Sequence, residues 1–126
     1  MKVFRDLSLL MAVALLMVHE MDAVTHAEWR LLPGLSLLDD DVAREVFILL
    51  HIPLYVFLLW ALFFATWKRR AALIVTGLIL LHAIVHFLLS GHSLYTFVGP
   101  IETITVYGAG LFSLSYWALN LRTTSE

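Results

Sequence analysis

The chain has 126 residues, of which 61% are hydrophobic and 14% charged, a formal net charge of −2 and a mean hydropathy of +0.89. A globule of this size cannot bury so much apolar surface, so the composition excludes a water-soluble domain and predicts membrane residence. The lack of cysteine excludes disulfides, thiolate metal sites and cysteine nucleophiles. With no basic cluster beyond residues 68–70, we expect no nucleic-acid partner.

Four apolar segments approach the roughly 20 helical residues that cross about 30 Å of hydrocarbon. We predict one transmembrane helix in each segment, at about 7–29, 46–67, 71–89 and 101–121. The remaining loops and tails are too short for a soluble domain. The sequence therefore predicts a single domain from residue 1 to 126, an all-α integral membrane four-helix bundle in contact with the lipid bilayer.

Basic residues are distributed unevenly around these segments. Most of them flank the ends of the segments that we assign to one side of the membrane, namely Lys2, Arg5, Lys68, Arg69, Arg70 and Arg122. By the positive-inside rule, both termini and the loop at 68–70 are expected in the cytoplasm. Helices one and three then run outward, and helices two and four run inward.

Ionisable side chains occur inside the predicted spans. At 1.5 Å per residue, His19 lies about 18 Å from the inner end of helix one, His82 about 16 Å along helix three, and His51 about 24 Å from the inside on helix two. Asp22 and His86 lie about 22 Å from the inside. An ionisable group at this depth is costly unless it faces a partner, a cofactor or water. The sequence therefore predicts a polar pocket in the outer half of the bundle.

A transition metal is the first candidate for this pocket. Imidazole suits zinc, iron and copper, and His82 and His86 share a helix face at i and i+4, a spacing that zinc-protease helices also use. We predict four histidine ligands, His19, His51, His82 and His86. Four further side chains are expected to orient these imidazoles or to add ligands, namely Glu20, Asp22, His26 and Glu102.

Three other functions are compatible with the same residues. A haem can take His82 and either His19 or His51 as axial ligands, although few glycines nearby make room for a porphyrin. Histidines and carboxylates can also form a proton relay, although the inner half of the bundle is apolar. Finally, the same groups can pair across helices in an accessory or assembly subunit of a larger membrane complex.

Helix four carries a stripe of small residues, Thr105, Ala109 and Ser113, which lets helices approach closely in lipid. The stripe suits internal packing, a homodimer or a larger membrane complex, and the sequence leaves these open. It also leaves open whether the protein is an enzyme. Metal-assisted hydrolysis or oxidation of a lipid-soluble substrate is the chemistry that a metal in the pocket allows.

Three strings of residues carry a resemblance to known proteins. They are His19-Glu20-Met21-Asp22-Ala23, Glu28-Trp29-Arg30 and Leu50-His51-Ile52-Pro53. Together they resemble a group of uncharacterised small bacterial proteins with four predicted transmembrane helices. This resemblance spans most of the chain and implies a multi-pass protein of the bacterial inner (plasma) membrane. It implies no activity and no catalytic residue.

Overall fold

The computed structural model describes residues 2–122, which form four α-helices and two short 3-10 helices. The α-helices are α1 (Lys2–Thr25), α2 (Asp40–Phe63), α3 (Lys68–Leu89) and α4 (Pro100–Arg122). The 3-10 helices, Glu28–Arg30 and Leu35–Leu37, lie in the loop between α1 and α2. Within the described range the fold is therefore all-α, with four long helices as predicted.

Three of the helices, α1, α2 and α3, are long and apolar enough to cross a membrane, judged by length and composition over the described residues. The fourth predicted span coincides with α4, which is as long as the others. Threonine, serine and glycine recur along α4 and lower its hydropathy. Its polar residues are mostly turned towards other helices of the chain.

The small-residue stripe of α4 is buried inside the bundle. Thr105, Ala109 and Ser113 are each at most 4% exposed, and α4 packs mainly against α1 and α3. A Cβ atom added to Gly110 would lie only 3.0 Å from the Cβ of Ala83, so the backbones of α3 and α4 approach closely. The stripe therefore serves packing within the chain, one of the roles that its sequence allows.

Helix α2 lies at the periphery and turns most of its apolar side chains outward. Leu49 is 61% exposed and Val56 65% exposed, and few of its residues are buried. An exposed apolar surface of this extent requires a nonpolar surrounding or a partner. This surface is compatible with a membrane location.

The ends of α1 and α2 differ from the predicted spans. Helix α1 ends at Thr25 rather than near residue 29, because Ala27 adopts the left-handed conformation with φ of 52° and ψ of 46°. Helix α2 begins at Asp40 rather than near residue 46, and its first turn contains two acids, which suit the positive end of a helix. The chain therefore reverses after α1 instead of continuing outward.

Candidate metal centre

The loop after α1 brings Glu28 into the interior of the bundle. Ala27 turns the chain, and a left-handed alanine costs about 1 kcal/mol or more, so surrounding contacts must hold it. Trp29 supplies them, since it is buried in a cluster with Ala23, Ala43, Phe47 and Phe97. Glu28 lies between this turn and this anchor, and it is 5% exposed.

Asp40 ties the same loop to the beginning of α2. The indole N–H of Trp29 donates to Oδ1 of Asp40 at 2.9 Å. The guanidinium of Arg30 donates to both carboxylate oxygens of Asp40, at 2.7 and 2.6 Å. Bidentate arginine–carboxylate pairs of this kind fix geometry as well as contributing energy. The two residues that directly follow Glu28 are therefore anchored on another helix.

Replacing Asp40 with alanine is expected to weaken metal binding although Asp40 is not a ligand. Without its carboxylate, Trp29 and Arg30 lose their common acceptor, and the turn carrying Glu28 is released. We expect metal affinity to fall by about 10-fold or more, the effect typical of groups that orient a ligand. Asp41→Ala, at the exposed neighbouring position, is the control, and equal affinities of the two variants for zinc in a titration would show that the anchor has no such role.

Four potential ligands converge where α1, the Glu28–Arg30 turn and α3 meet. One ligand atom each from His19, Glu28, His82 and His86 lies within 4.8 Å of all the others. Nε2 of His19 lies 3.4 Å from Oε2 of Glu28, and Nε2 of His86 lies 3.7 Å from Oε1. Ligands about 2.1 Å from a tetrahedral zinc stand about 3.4 Å apart, which is close to these two contact distances.

Several polar atoms of this group have no hydrogen-bond partner among the described residues. They are both ring nitrogens of His19, Nε2 of His82 and Oε2 of Glu28. His19 is only 1% exposed, and its contact with Glu28 lacks the geometry of a hydrogen bond. A buried polar atom without a partner costs about 1–3 kcal/mol, so Nδ1 of His19 and Nε2 of His82 in particular require an explanation. A metal ion accepts such lone pairs directly.

The carboxyl group of Glu28 is held in its charged form. Burial by itself raises the pKa of Glu28, but the imidazoles of His19 and His86, which face its carboxylate, lower the pKa by more. The net result is a pKa well below the usual range of a glutamate. A carboxylate must be deprotonated to ligate a metal, and Glu28 meets this condition.

Tyr95 and Phe97, from the loop between α3 and α4, surround the imidazole of His86. The hydroxyl of Tyr95 lies 3.1 Å from Nδ1 of His86. Burial raises the pKa of Tyr95, and Tyr107 and the carboxylates of Glu28 and Glu102 raise it further, so the hydroxyl stays protonated. When it accepts from Nδ1–H, it leaves Nε2 free to face Glu28, an arrangement common behind metal-binding histidines.

His51 lies apart from this group and pairs with Glu20. Its Nδ1 lies 2.7 Å from the carbonyl oxygen of Phe47, and its Nε2 lies 2.9 Å from Oε2 of Glu20. A carbonyl only accepts, so Nδ1 carries a proton, and the short contact to Glu20 needs one more. Whether that proton sits on the ring or on the acid, the pair is neutral as a whole. The structure thus joins α1 to α2 through His51 and brings together the other three predicted histidines.

The remaining predicted residues form a second group. Nε2 of His26 lies 2.9 Å from Oε1 of Glu102 and 3.5 Å from Oδ2 of Asp22. All three side chains are partly buried. Of the four residues predicted to orient the histidine ligands or extend the set, Glu20 therefore contacts His51, and the other three contact one another.

Glu28 is the residue of the centre that the sequence pattern did not reveal. It belongs to the string Glu28-Trp29-Arg30, but a first helix extended to residue 29 places it at the bundle rim. A glycine at position 27 would have signalled a reversal, whereas alanine gives no such sign. The available signal was the acid–tryptophan pair Glu28-Trp29, which closely follows the ionisable residues at the end of the first helix.

Comparison with known proteins identifies a family. No curated protein and no solved structure matches the chain. Residues 6–123 match the model of a family described as a family of unknown function, DUF6713. The match includes every residue of both groups described above. The chain therefore belongs to the family of unknown function DUF6713.

Proposed function

We propose that this protein is a small integral membrane protein that binds a transition metal ion through His19, Glu28, His82 and His86. The convergence of three imidazoles and one carboxylate carries this proposal, together with buried nitrogens that have no hydrogen-bond partner within residues 2–122. A set of three nitrogens and one oxygen suits zinc, iron or copper. The predicted fourth histidine, His51, stays outside the proposed ligand set because both of its nitrogens are engaged elsewhere.

The spacing of the imidazoles favours a single ion over a haem. The ring centroids of His19, His82 and His86 lie between 4.6 and 5.0 Å apart, with rings in edge or tilted contact. A porphyrin ligated by two histidines has to lie between their rings. Imidazoles in direct contact leave no such slot, whereas one ion fits among their nitrogens.

We place the protein in the inner membrane of a bacterium, with both termini and residues 68–70 on the cytoplasmic side. The length and apolar character of α1, α2 and α3 support a membrane location. The exposed apolar side chains of α2 support it as well. In this orientation the centre lies in the half of the bundle that faces away from the cytoplasm.

A second candidate function, metal-assisted hydrolysis or oxidation of a lipid-soluble substrate, is favoured by a cavity beside the centre. A cavity of about 190 Å³ lies between α1, α2 and α3. Its walls are almost entirely apolar, except for Glu20, Tyr55 and His82. Because His82 belongs to both the cavity and the centre, a lipophilic molecule bound there lies next to the ion.

Elemental analysis of the protein purified in mild detergent, together with an absorption spectrum, tests the proposal. We expect a bound transition metal without a Soret band. His82→Ala is expected to lose one equivalent of metal per chain, whereas His92→Ala, at an exposed loop position, is expected to keep its full content. A Soret band selects haem instead, and equal retention in both variants contradicts the ligand assignment. Co-purification with a larger complex that all histidine variants still enter selects the accessory role.

A further inference from the structure

We propose a second metal site, formed by Asp22, His26 and Glu102, that binds a hydrated divalent first-row cation next to the buried centre. This second site goes beyond the proposed function, because none of its three ligands is among the four residues assigned to the buried centre. The same residue types, imidazole and carboxylate, suit zinc, iron and manganese. Unlike the buried centre, it has three protein ligands and therefore keeps open coordination positions.

The distances within this group match those between neighbouring ligands of one ion. Nε2 of His26 lies 2.9 Å from Oε1 of Glu102 and 3.5 Å from Oδ2 of Asp22, and one ligand atom from each residue lies within 4.8 Å of the others. Ligands about 2.1 Å from a metal stand about 3.0–3.4 Å apart. The three side chains are thus almost in position.

Thr96 fixes which nitrogen of His26 faces the carboxylates. Its hydroxyl donates to the backbone carbonyl of His26 at 3.3 Å. The same hydroxyl oxygen lies 2.9 Å from Nδ1 of His26 and holds the ring from behind. Nε2 therefore faces the carboxylates, and it hydrogen-bonds Oε1 of Glu102 at 2.9 Å. An orienting partner behind the second ring nitrogen is the usual companion of a metal-binding imidazole.

The charges of the group call for a cation. The carboxylates of Asp22 and Glu102 both face the imidazole of His26, at 3.5 and 2.9 Å from Nε2. A divalent ion beside neutral imidazole balances both carboxylates. Oδ2 of Asp22 and Oε2 of Glu102 are buried and have no hydrogen-bond partner among the described residues, so they offer lone pairs for this ion.

The site adjoins the buried centre and remains accessible to water. The side chains of His26, Asp22 and Glu102 are 19%, 23% and 14% exposed, against 1% for His19. The ring of Phe97 lies between the two groups, with its centroid 4.8 Å from His26 and 5.3 Å from His19. One phenyl ring therefore separates the closed four-ligand site from the open three-ligand site. Of the two, only the three-ligand site lets water or a small polar ligand reach its ion directly.

Zinc titration of the chelator-stripped protein in detergent, followed by isothermal calorimetry and equilibrium dialysis, tests this site. We expect two equivalents of zinc in the unaltered chain, one in His26→Ala, one in His82→Ala and none in the double variant. His92→Ala should retain two. Asp22→Asn, which preserves side-chain volume, is expected to weaken the outer site by about 10-fold or more and leave the inner site unchanged.

The outcomes separate the two sites. A single equivalent that His82→Ala loses and His26→Ala retains overturns the outer site and leaves the buried centre in place. A single equivalent with the opposite pattern supports the outer site and overturns the buried one. No bound zinc in the unaltered chain overturns both. Matching circular dichroism spectra of the metal-free variants show that a lost equivalent reflects a lost ligand rather than a misfolded chain.

Discussion

Replacing Glu28 with glutamine is expected to lower the affinity of the buried centre for zinc by about 100-fold or more. Even groups that only orient a ligand change metal affinity by about 10–100-fold, and Glu28 supplies the single negative charge of the proposed set. Glutamine keeps the shape of the side chain but not the charge. Three neutral imidazoles then face the ion without a carboxylate, and the divalent charge is left uncompensated in a buried site.

Glu45→Gln is the matched control for this change. Glu45 lies exposed near the beginning of α2, so its loss removes the same charge without touching the centre. Calorimetric titration in the His26→Ala background, where only the buried centre binds, measures the effect. If Glu28→Gln and Glu45→Gln bind zinc equally well, Glu28 is not a ligand, and the centre must be reassigned to the histidines.

Removal of the metal is expected to lower the thermal stability of the protein by about 10 °C or more. A ligand that binds only the folded state at 1,000 times its dissociation constant stabilises it by about 4 kcal/mol. For a chain of this size, 1 kcal/mol corresponds to several degrees. The ion would also satisfy the buried nitrogens of His19 and link α1 to α3. Removing it leaves those nitrogens without a partner and removes the link between the helices.

Thermal unfolding with excess zinc and with a chelator measures this difference. The His26→Ala background again restricts the effect to the buried centre. In the double variant that also carries His82→Ala, the two curves should coincide, since that chain has lost a ligand. Coincident curves in the single His26→Ala variant would mean that metal binding at the buried centre does not contribute to folding.

Much of the candidate site was predictable from helical geometry. His82 and His86 share a face because they are four residues apart, and the expected depth of His19 lies between theirs. The structure places these three rings in mutual contact. Depth alone cannot decide which neighbour a side chain meets, and His51, on the peripheral helix α2, contacts Glu20 before it can reach the centre.

Two features of the site depend on loops whose conformation the sequence does not specify. The reversal at Ala27, which brings Glu28 inside, uses a left-handed alanine stabilised by Trp29 and its distant partners. His19 lies on α1 and His26 directly follows this helix, yet Phe97 from the loop before α4 inserts between their rings. Both are long-range packing effects, which override local pattern.

Anomalous X-ray scattering, recorded above and below the absorption edge of the bound metal in crystals of this protein, tests whether the buried centre holds an ion. We expect a strong anomalous peak about 2.0–2.2 Å from nitrogens of His19, His82 and His86 and from an oxygen of Glu28. Crystals of zinc-loaded protein with no anomalous density among these four side chains would contradict it.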